Sequence, residues 1–309
     1  ALDDGSLSGA SNTAIGNSAL TANTTGTLNV AVGHQAAISN TEGYQFIAIG
    51  ANALYQNTTG DGHVAIGYRA LRDNTTANNN VAVGYDALLS NTTASNNTAV
   101  GYQALTANTT GTRNSAVGAS AGVAVTTGDD NTFMGFNSGN DVTTASDNTG
   151  FGSYTLAATT TGAYNTAVGT NALEANTTAN NNSALGYNAP KVNTTGSENI
   201  AIGNYTLDAN VDGANNTAVG YNALSSNTSA DYNVGIGRQA LLSNTTGAQN
   251  TAVGTNALDA NTTASDNTAL GYAALGANTT GTENVAVGKG ALDAATTGDY
   301  NTAIGTGAL

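Results

Sequence analysis

A glycine recurs every 17 residues along the chain, from Gly16 through Gly33 and Gly50 to Gly305, without an insertion or a deletion. Such a strict, short period means that each repeat is one structural unit, which buries its apolar side only by stacking on its neighbours. We number each repeat from the residue four before the glycine, so that the first begins at Asn12 and the glycine is position 5. The pattern predicts a lead-in segment over 1–11 and one continuous solenoid over 12–309, with repeats starting at 12 + 17n. Because the sequence ends within a repeat, we expect it to belong to a longer protein.

Positions 2 to 4 of the repeat have the composition of a β-strand. Position 2 is β-branched or serine, as in Thr13 and Val30, and position 4 is apolar, as in Ile15 and Val32. These residue types favour strands, and so short a unit, which must also turn twice, has no room for helices of ordinary length. The sequence therefore predicts an all-β fold, a parallel β-solenoid of about eighteen coils that would form a rod roughly 80–90 Å long.

Position 3 is alanine in almost every repeat, as in Ala14 and Ala31. Side chains alternate between the two faces of a strand, so alanine points away from the apolar side chains of position 4. We expect position 4, for example Val100 and Ile202, to face the interior, and the alanine and glycine of positions 3 and 5 to face a second chain. The alternative is that alanine is merely small enough to be tolerated at a surface.

The second half of the repeat combines a corner leucine with a polar segment. We expect Leu20 and its equivalents at position 9 to fill the interior. Segments such as 23–26, Asn-Thr-Thr-Gly, are expected to form a tight turn beside a short second strand of threonines. We also expect the asparagines of successive coils to hydrogen-bond to one another. The asparagine column also matches the Asn-x-Ser/Thr glycosylation pattern, which predicts sugars on exposed turns in a glycosylating host unless turn formation alone explains it. The matching residues are Asn23, Asn57, Asn74, Asn91, Asn108, Asn176, Asn193, Asn227, Asn244, Asn261 and Asn278.

Composition disfavours several classes of function. The formal net charge is −14 with only six Lys and Arg residues, which argues against nucleic acid and anionic membranes as partners. There is no cysteine and no 18-residue apolar run, so we expect no thiolate metal site and no membrane insertion by this segment. The two histidines, His34 and His63, occupy different positions of the repeat, and His63 is expected to be a polar turn residue rather than a ligand. We therefore expect no enzyme activity, no catalytic or metal-binding residues and no cofactor.

The repeat keeps its register but changes its content between residues 119 and 164. Gly122 and Gly139 replace the corner leucine, and Phe133 replaces the alanine of position 3, opposite Gly150 in the next coil. We interpret this as a local repacking of the core, because a large residue beside a small one conserves packed volume. A binding site is the alternative.

Tyrosine recurs at position 6, directly after the repeating glycine, and three of these tyrosines fall in consecutive coils. Rings about 4.8 Å apart would form an amphipathic strip able to bind a sugar or a protein. The alternative is that the rings shield a corner between coils or between chains. The candidate recognition residues are Tyr68, Tyr85, Tyr102, Tyr187, Tyr221 and Tyr272.

The string Asn97-Thr-Ala-Val-Gly-Tyr-Gln-Ala-Leu105 and its equivalent Asn284-Val-Ala-Val-Gly-Lys-Gly-Ala-Leu292 resemble the head repeats of YadA-like trimeric autotransporter adhesins. They are also similar to repeats of bacterial and phage tail-fibre-like proteins. The resemblance implies a left-handed parallel β-roll, three chains packed side by side, and a role in attachment or as a fibre shaft.

We accordingly expect an extracellular structural fibre or adhesin segment at a cell or virion surface. Its expected partners are further copies of itself, in a homotrimer or filament, and a host surface protein or glycan. The alternatives are the shaft of a phage or injection-system tail fibre and, less favoured, an ice-binding solenoid. Ice binding is less favoured because it needs a flat array of two threonine columns, whereas only one residue of each adjacent pair, such as Thr24 and Thr25, would face outward.

Overall fold

The computed structural model describes residues 11–309, where each coil contributes one three-residue strand and no helix is present. The predicted lead-in segment lies outside the described residues, apart from Ser11. The described chain forms two compact units, which meet in sequence after Ser153. Strands of the first unit are β1 (Thr13–Ile15), β2 (Val30–Val32), β3 (Ile47–Ile49), β4 (Val64–Ile66), β5 (Val81–Val83), β6 (Thr98–Val100), β7 (Ser115–Val117), β8 (Thr132–Met134) and β9 (Thr149–Phe151). Strands of the second unit are β10 (Thr166–Val168), β11 (Ser183–Leu185), β12 (Ile200–Ile202), β13 (Thr217–Val219), β14 (Val234–Ile236), β15 (Thr251–Val253), β16 (Thr268–Leu270), β17 (Val285–Val287) and β18 (Thr302–Ile304).

Within each unit, every strand pairs in parallel with the strand of the next coil. Thr13 lies opposite Val30 and Ala14 opposite Ala31, and the same register, without a slip, relates the later coils. The predicted all-β parallel solenoid is therefore confirmed. No helix that is long and apolar enough to cross a membrane occurs among residues 11–309.

The two faces of the strands are the reverse of our expectation. In β6, Ala99 is fully buried while Thr98 and Val100 are only half-buried, and in β12 Ile202 is 41% exposed beside a buried alanine. Position 3 therefore faces the interior, and positions 2 and 4 face outward. The reason is space: a Cβ added to Gly235, at position 3 of β14, would lie 3.3 Å from Cδ1 of the corner residue Leu224. The leucines fill the interior so closely that only a methyl group fits opposite them in an ordinary coil.

The repeating glycine is required by the neighbouring coil of the same chain, not by a second chain as we expected. Gly101 has a φ of 143°, a conformation that side chains with a Cβ rarely adopt. A Cβ on Gly101 would also overlap the carbonyl group of Gly118, one coil further on. Stacking of backbone on backbone thus explains why position 5 is always glycine.

The corner leucines fill the interior, as predicted. Leu54, for example, has no exposed surface and a φ of 53°. No sequence pattern indicated this left-handed conformation, which bulky residues adopt only when the surrounding packing over-determines it.

The asparagines of position 12 form the predicted hydrogen bonds between coils, but they are buried in the interior and do not adopt the positive φ that we predicted for the turn. Asn40 donates one hydrogen bond from Nδ2 to Oδ1 of Asn23 in the preceding coil (2.9 Å) and another to the carbonyl oxygen of Gly43 (3.1 Å). Positive φ angles occur at positions 5, 7, 9 and 17 rather than at these asparagines. The following threonines form no second strand in the described chain; instead Oγ1 of Thr41 donates to the carbonyl oxygen of Thr58 (3.1 Å).

The predicted repacking around Phe133 is present. Phe133 is fully buried, and its strand register places it opposite Gly150. A Cβ on Gly139 would lie 2.5 Å from Cε1 of Phe133, and a Cβ on Gly122 would lie 3.1 Å from its Cδ2. The phenyl ring thus occupies the space that corner leucines fill in other coils, which is why glycine replaces leucine twice.

Candidate recognition surface

The tyrosines of position 6 lie on the outer surface, where we predicted a strip of rings. Tyr68, Tyr85 and Tyr102 are each about half exposed and stack in sequence, with ring centroids 5.2 and 5.4 Å apart and interplanar angles of 26° and 18°. Because each ring is anchored to a separate coil, the coil spacing sets the distance between them. We call these three residues the tyrosine ladder.

The remaining candidate tyrosines stand in different surroundings. Tyr187 and Tyr221 are separated by one coil, and both make edge-to-face contacts with Tyr205 of position 7, at 5.4 and 6.1 Å. Sequence reasoning missed Tyr205 because it belongs to another position of the repeat. Tyr272 has Nζ of Lys289 5.9 Å from its ring centroid, which is within range of a cation–π interaction.

Two arginines lie next to the start of the tyrosine ladder, and both are held by carboxylates. Nε and Nη2 of Arg69 donate to the two carboxylate oxygens of Asp86, at 2.8 and 2.6 Å, and Arg72 makes the same two-point contact with Asp73, at 2.7 and 2.7 Å. The hydrogen bonds to Asp86 raise the pKa of Arg69 further above its ordinary value. Cζ of Arg69 is 5.0 Å from the ring centroid of Tyr68. The guanidinium groups are therefore fixed in place and electrically compensated.

A groove of about 320 Å³ opens beside these groups on the first unit. We call it the Tyr68 groove, and its lining comes from three consecutive coils: Gln35, Asn52, Tyr55, Tyr68, Arg69 and Arg72. Only Tyr68 among them was a candidate from the sequence. A second groove of about 270 Å³, on the second unit, is lined by Tyr205, Asp208, Tyr221, Asn222 and Ser225. Burial raises the pKa of Asp208 in this second groove.

The outer face of the strands is the other prominent surface. Its side chains come from positions 2 and 4, which we call the outer strand face. From β2 to β5 both positions are Val or Ile in every coil, whereas elsewhere threonine or serine is common at position 2. The large exposed residues of this face include Ile47, Ile49, Ile66, Val117 and Phe151 in the first unit and Leu185, Ile200, Ile202, Ile236 and Leu270 in the second.

The eleven asparagines that match the glycosylation pattern do not lie on exposed turns. All of them are buried, and their amides form the interior ladder; Asn227, for example, donates from Nδ2 to Oδ1 of Asn210 (2.8 Å) and to the carbonyl oxygen of Ala230 (3.1 Å). A sugar on Nδ2 would break these bonds and would have to fit in the close-packed interior. The prediction that these asparagines lie on exposed turns is therefore wrong, and we do not propose glycosylation. It concerned Asn23, Asn57, Asn74, Asn91, Asn108, Asn176, Asn193, Asn227, Asn244, Asn261 and Asn278.

His63 is buried as well, and it is not the turn residue that we expected. It occupies position 1, where Nδ1 accepts a hydrogen bond from the backbone N–H of Asn80 (3.2 Å) and the ring also bonds to the backbone of Ala77. Asn80 makes the equivalent bonds in its own coil: its Oδ1 accepts from the N–H of Asn97 (2.8 Å), and its Nδ2 donates to the carbonyl oxygen of Ala94 (2.8 Å). A neutral imidazole thus substitutes for the carboxamide.

Burial lowers the pKa of His63 from 6.5 to about 4. His34, in contrast, is exposed on the surface. Among residues 11–309 there is no cluster of three or more His, Asp or Glu side chains that could hold a metal ion.

No known family model matches the chain, and no curated protein sequence is significantly similar to it.

Proposed function

We propose that this chain is a structural segment of an extracellular fibre or adhesin, in which copies of the chain associate side by side through the outer strand face. The observation that carries the proposal is the row of exposed Val, Ile and Leu side chains on that face. In the first unit, nine strands about 4.8 Å apart and about 10 Å wide give a face of roughly 400 Å². Position 4 is apolar in all nine of these coils, whereas position 2 is threonine or serine in five of them, so the apolar part is smaller than the whole face. The largest apolar patch on a soluble protein is often functional.

A second copy is the occupant that the face favours. Each coil presents the same flat pattern at the same spacing, so an identical chain can repeat the same contact coil after coil. The face contains no charged residue at positions 2 or 4, whereas the chain as a whole carries a net charge of −14. Close association of two such chains is therefore tolerable only through a surface that is free of carboxylates. The resemblance to YadA-like head repeats supports three copies.

Sedimentation equilibrium tests the proposal. At micromolar concentration the wild-type chain should sediment at three times its mass of 30.4 kDa. The double variant Ile49→Asp/Ile66→Asp should keep its circular dichroism spectrum but sediment as a monomer, because the carboxylates would lie on the outer strand face and not in the interior. Thr93→Asp, a charge change at an exposed position away from the strands, is the matched control and should remain assembled. A monomeric wild-type protein would refute the proposal.

The alternative of a tail-fibre shaft uses the same self-association and differs in location. Antibody labelling of intact cells and of purified virions from the same source distinguishes the two. Ice binding is not favoured by the threonine geometry: Oγ1 of Thr58 donates to the carbonyl oxygen of Thr75 (3.0 Å), and this pattern recurs along position 13. These hydroxyl groups serve the stacking of coils.

A further inference from the structure

The tyrosine ladder stops at an alanine. Tyr102, Tyr85 and Tyr68 stack from coil to coil, but the coil before Tyr68 carries Ala51 at position 6. Tyr68 therefore has one ring face covered by Tyr85 and one that no ladder tyrosine covers. The Tyr68 groove lies on this side, because the rest of its lining outside Tyr68's own coil comes from the two coils that precede it. Its volume of about 320 Å³ is at the small end of the range for ligand sites.

The lining combines an aromatic face with fixed hydrogen-bonding groups. Arg69 and Arg72 each use two N–H donors on a carboxylate, which leaves further guanidinium N–H donors in a fixed plane. Gln35 and Asn52 add carboxamides, of which Gln35 can both donate and accept, whereas Asn52 can only donate because its Oδ1 is buried. A ligand that matches this lining has a flat apolar side for the ring of Tyr68 and several hydroxyl groups around its edge.

The charges favour a neutral ligand over an anionic one. Asp86 and Asp73 compensate the two guanidinium groups within the groove, at contact distances of 2.6 and 2.7 Å. Since the arginines are compensated, the electrostatic potential at the groove is set by the rest of the chain, whose net charge is −14. This charge repels anions over a distance of about 10 Å at moderate salt. A sialic acid or a phosphate would therefore gain little from the arginines and lose by the surrounding field.

We propose that the Tyr68 groove binds a neutral pyranose unit of a glycan, stacked on the face of Tyr68 turned away from Tyr85 and hydrogen-bonded by Arg69, Arg72 and the carboxamides of Gln35 and Asn52. The inference rests on the proposed extracellular function, for which it names the ligand class. The sugar ring takes the place that a fourth tyrosine would hold in the ladder. Tyrosine suits this role because its ring gives a rigid contact surface at low entropic cost.

The test is an array of immobilised oligosaccharides with neutral glucose, galactose or mannose termini, with sialylated equivalents as the anionic comparison. The strongest neutral binder is then titrated in solution by saturation-transfer NMR. Wild-type protein should bind neutral saccharides in preference to sialylated ones. Ala51→Tyr should extend the ladder over Tyr68 and weaken binding at least about tenfold, a loss of about 1.4 kcal/mol in binding free energy.

Ala119→Tyr is the matched control, because Ala119 occupies the same position at the other end of the ladder, next to Tyr102, and is half-buried like Ala51. It should leave binding unchanged. Arg72→Gln should weaken binding while the thermal unfolding curve stays that of the wild type. The inference is overturned if no neutral saccharide binds, if sialylated saccharides bind in preference to neutral ones, or if Ala51→Tyr binds as the wild type does.

These results can be separated from a failure of the proposed fibre. None of the substituted residues lies on the outer strand face, so the mass from sedimentation equilibrium should be the same in all of these proteins. Absence of sugar binding by an assembled wild-type protein would refute only the proposed sugar site. A monomeric wild-type protein would refute only the proposed fibre.

Discussion

Replacing His63 by asparagine should remove one specific dependence of stability on pH. The folded chain keeps the His63 ring neutral, because burial disfavours its charged form and Nδ1 must remain free to accept the N–H of Asn80. An asparagine at position 1 makes the same two kinds of hydrogen bond without a titratable group, as Asn80 does in the next coil. The His63→Asn variant should therefore fold with the interior ladder intact.

The magnitude follows from the difference between the two pKa values. The unfolded chain takes up the proton near pH 6.5, whereas the folded chain takes it up only near pH 4, because burial lowers the pKa of His63 to about 4. The contribution of the neutral His63 ring to the free energy of unfolding is thus fully present above pH 6.5 and is lost as the pH falls toward 4. A difference of about 2.5 pH units corresponds to about 3 kcal/mol in the free energy of unfolding.

Two measurements check this prediction. NMR titration of the ring Cε1–H signals should find the pKa of His63 well below 6.5. Urea unfolding at pH 7.5 and at pH 4.5 should show that the wild type loses stability relative to His63→Asn at the lower pH. If the difference between wild type and His63→Asn is the same at both pH values, the ring is not held neutral in the interior and the reasoning fails.

Two further predictions concern the packing of the coils. Phe133→Ala should destabilise the first unit by about 3–5 kcal/mol, because it empties the space beside two glycines. Adding Gly139→Leu should recover part of that loss, and thermal unfolding measures both effects. The absence of any recovery would mean that the phenyl ring does not take the place of the corner leucine. Gly101→Ala should lower the unfolding temperature sharply, since its Cβ would overlap the next coil and the residue would keep a positive φ. Gly235→Ala, which only restores the usual alanine of position 3, should be tolerated, and equal effects of the two substitutions would contradict the stacking of glycine on glycine.

The solenoid was predictable from the sequence because its cause is in the sequence: an exact period, β-branched residues at fixed positions and no space for a helix. Which face of the strands points into the interior was not predictable from the sequence. Both faces are apolar, so alternation alone does not say which is inside. The interior width decides, and it depends on how far the corner leucines such as Leu224 reach across the coil, which only the three-dimensional structure gives.

The candidate site was predictable in the same partial way. The stacking of Tyr68 on Tyr85 follows directly from the period, and the ring spacing of 5.2 Å is close to that of the coils. The Tyr68 groove could not be predicted, because its lining mixes positions 6, 7 and 10 from three coils, and the sequence does not show which of these side chains converge. The burial of the asparagines was missed for a related reason, since turn propensity and interior ladders use the same residue type.

The most direct test of the central claim uses the absence of cysteine from the chain, which allows single thiols to be introduced against an empty background. Val100→Cys places a thiol on the outer strand face, Ala99→Cys places one in the interior, and Thr110→Cys places one at an exposed position away from the strands. Each variant is treated with a charged maleimide at micromolar protein concentration, and Val100→Cys is also exposed to mild oxidation. If copies associate through the outer strand face, the thiols of Val100→Cys and Ala99→Cys are both protected from the maleimide, and Val100→Cys forms disulfide-linked dimers on oxidation. If Cys at 100 reacts as fast as Cys at 110 and forms no cross-link, the outer strand face is open to solvent and the proposed association is wrong.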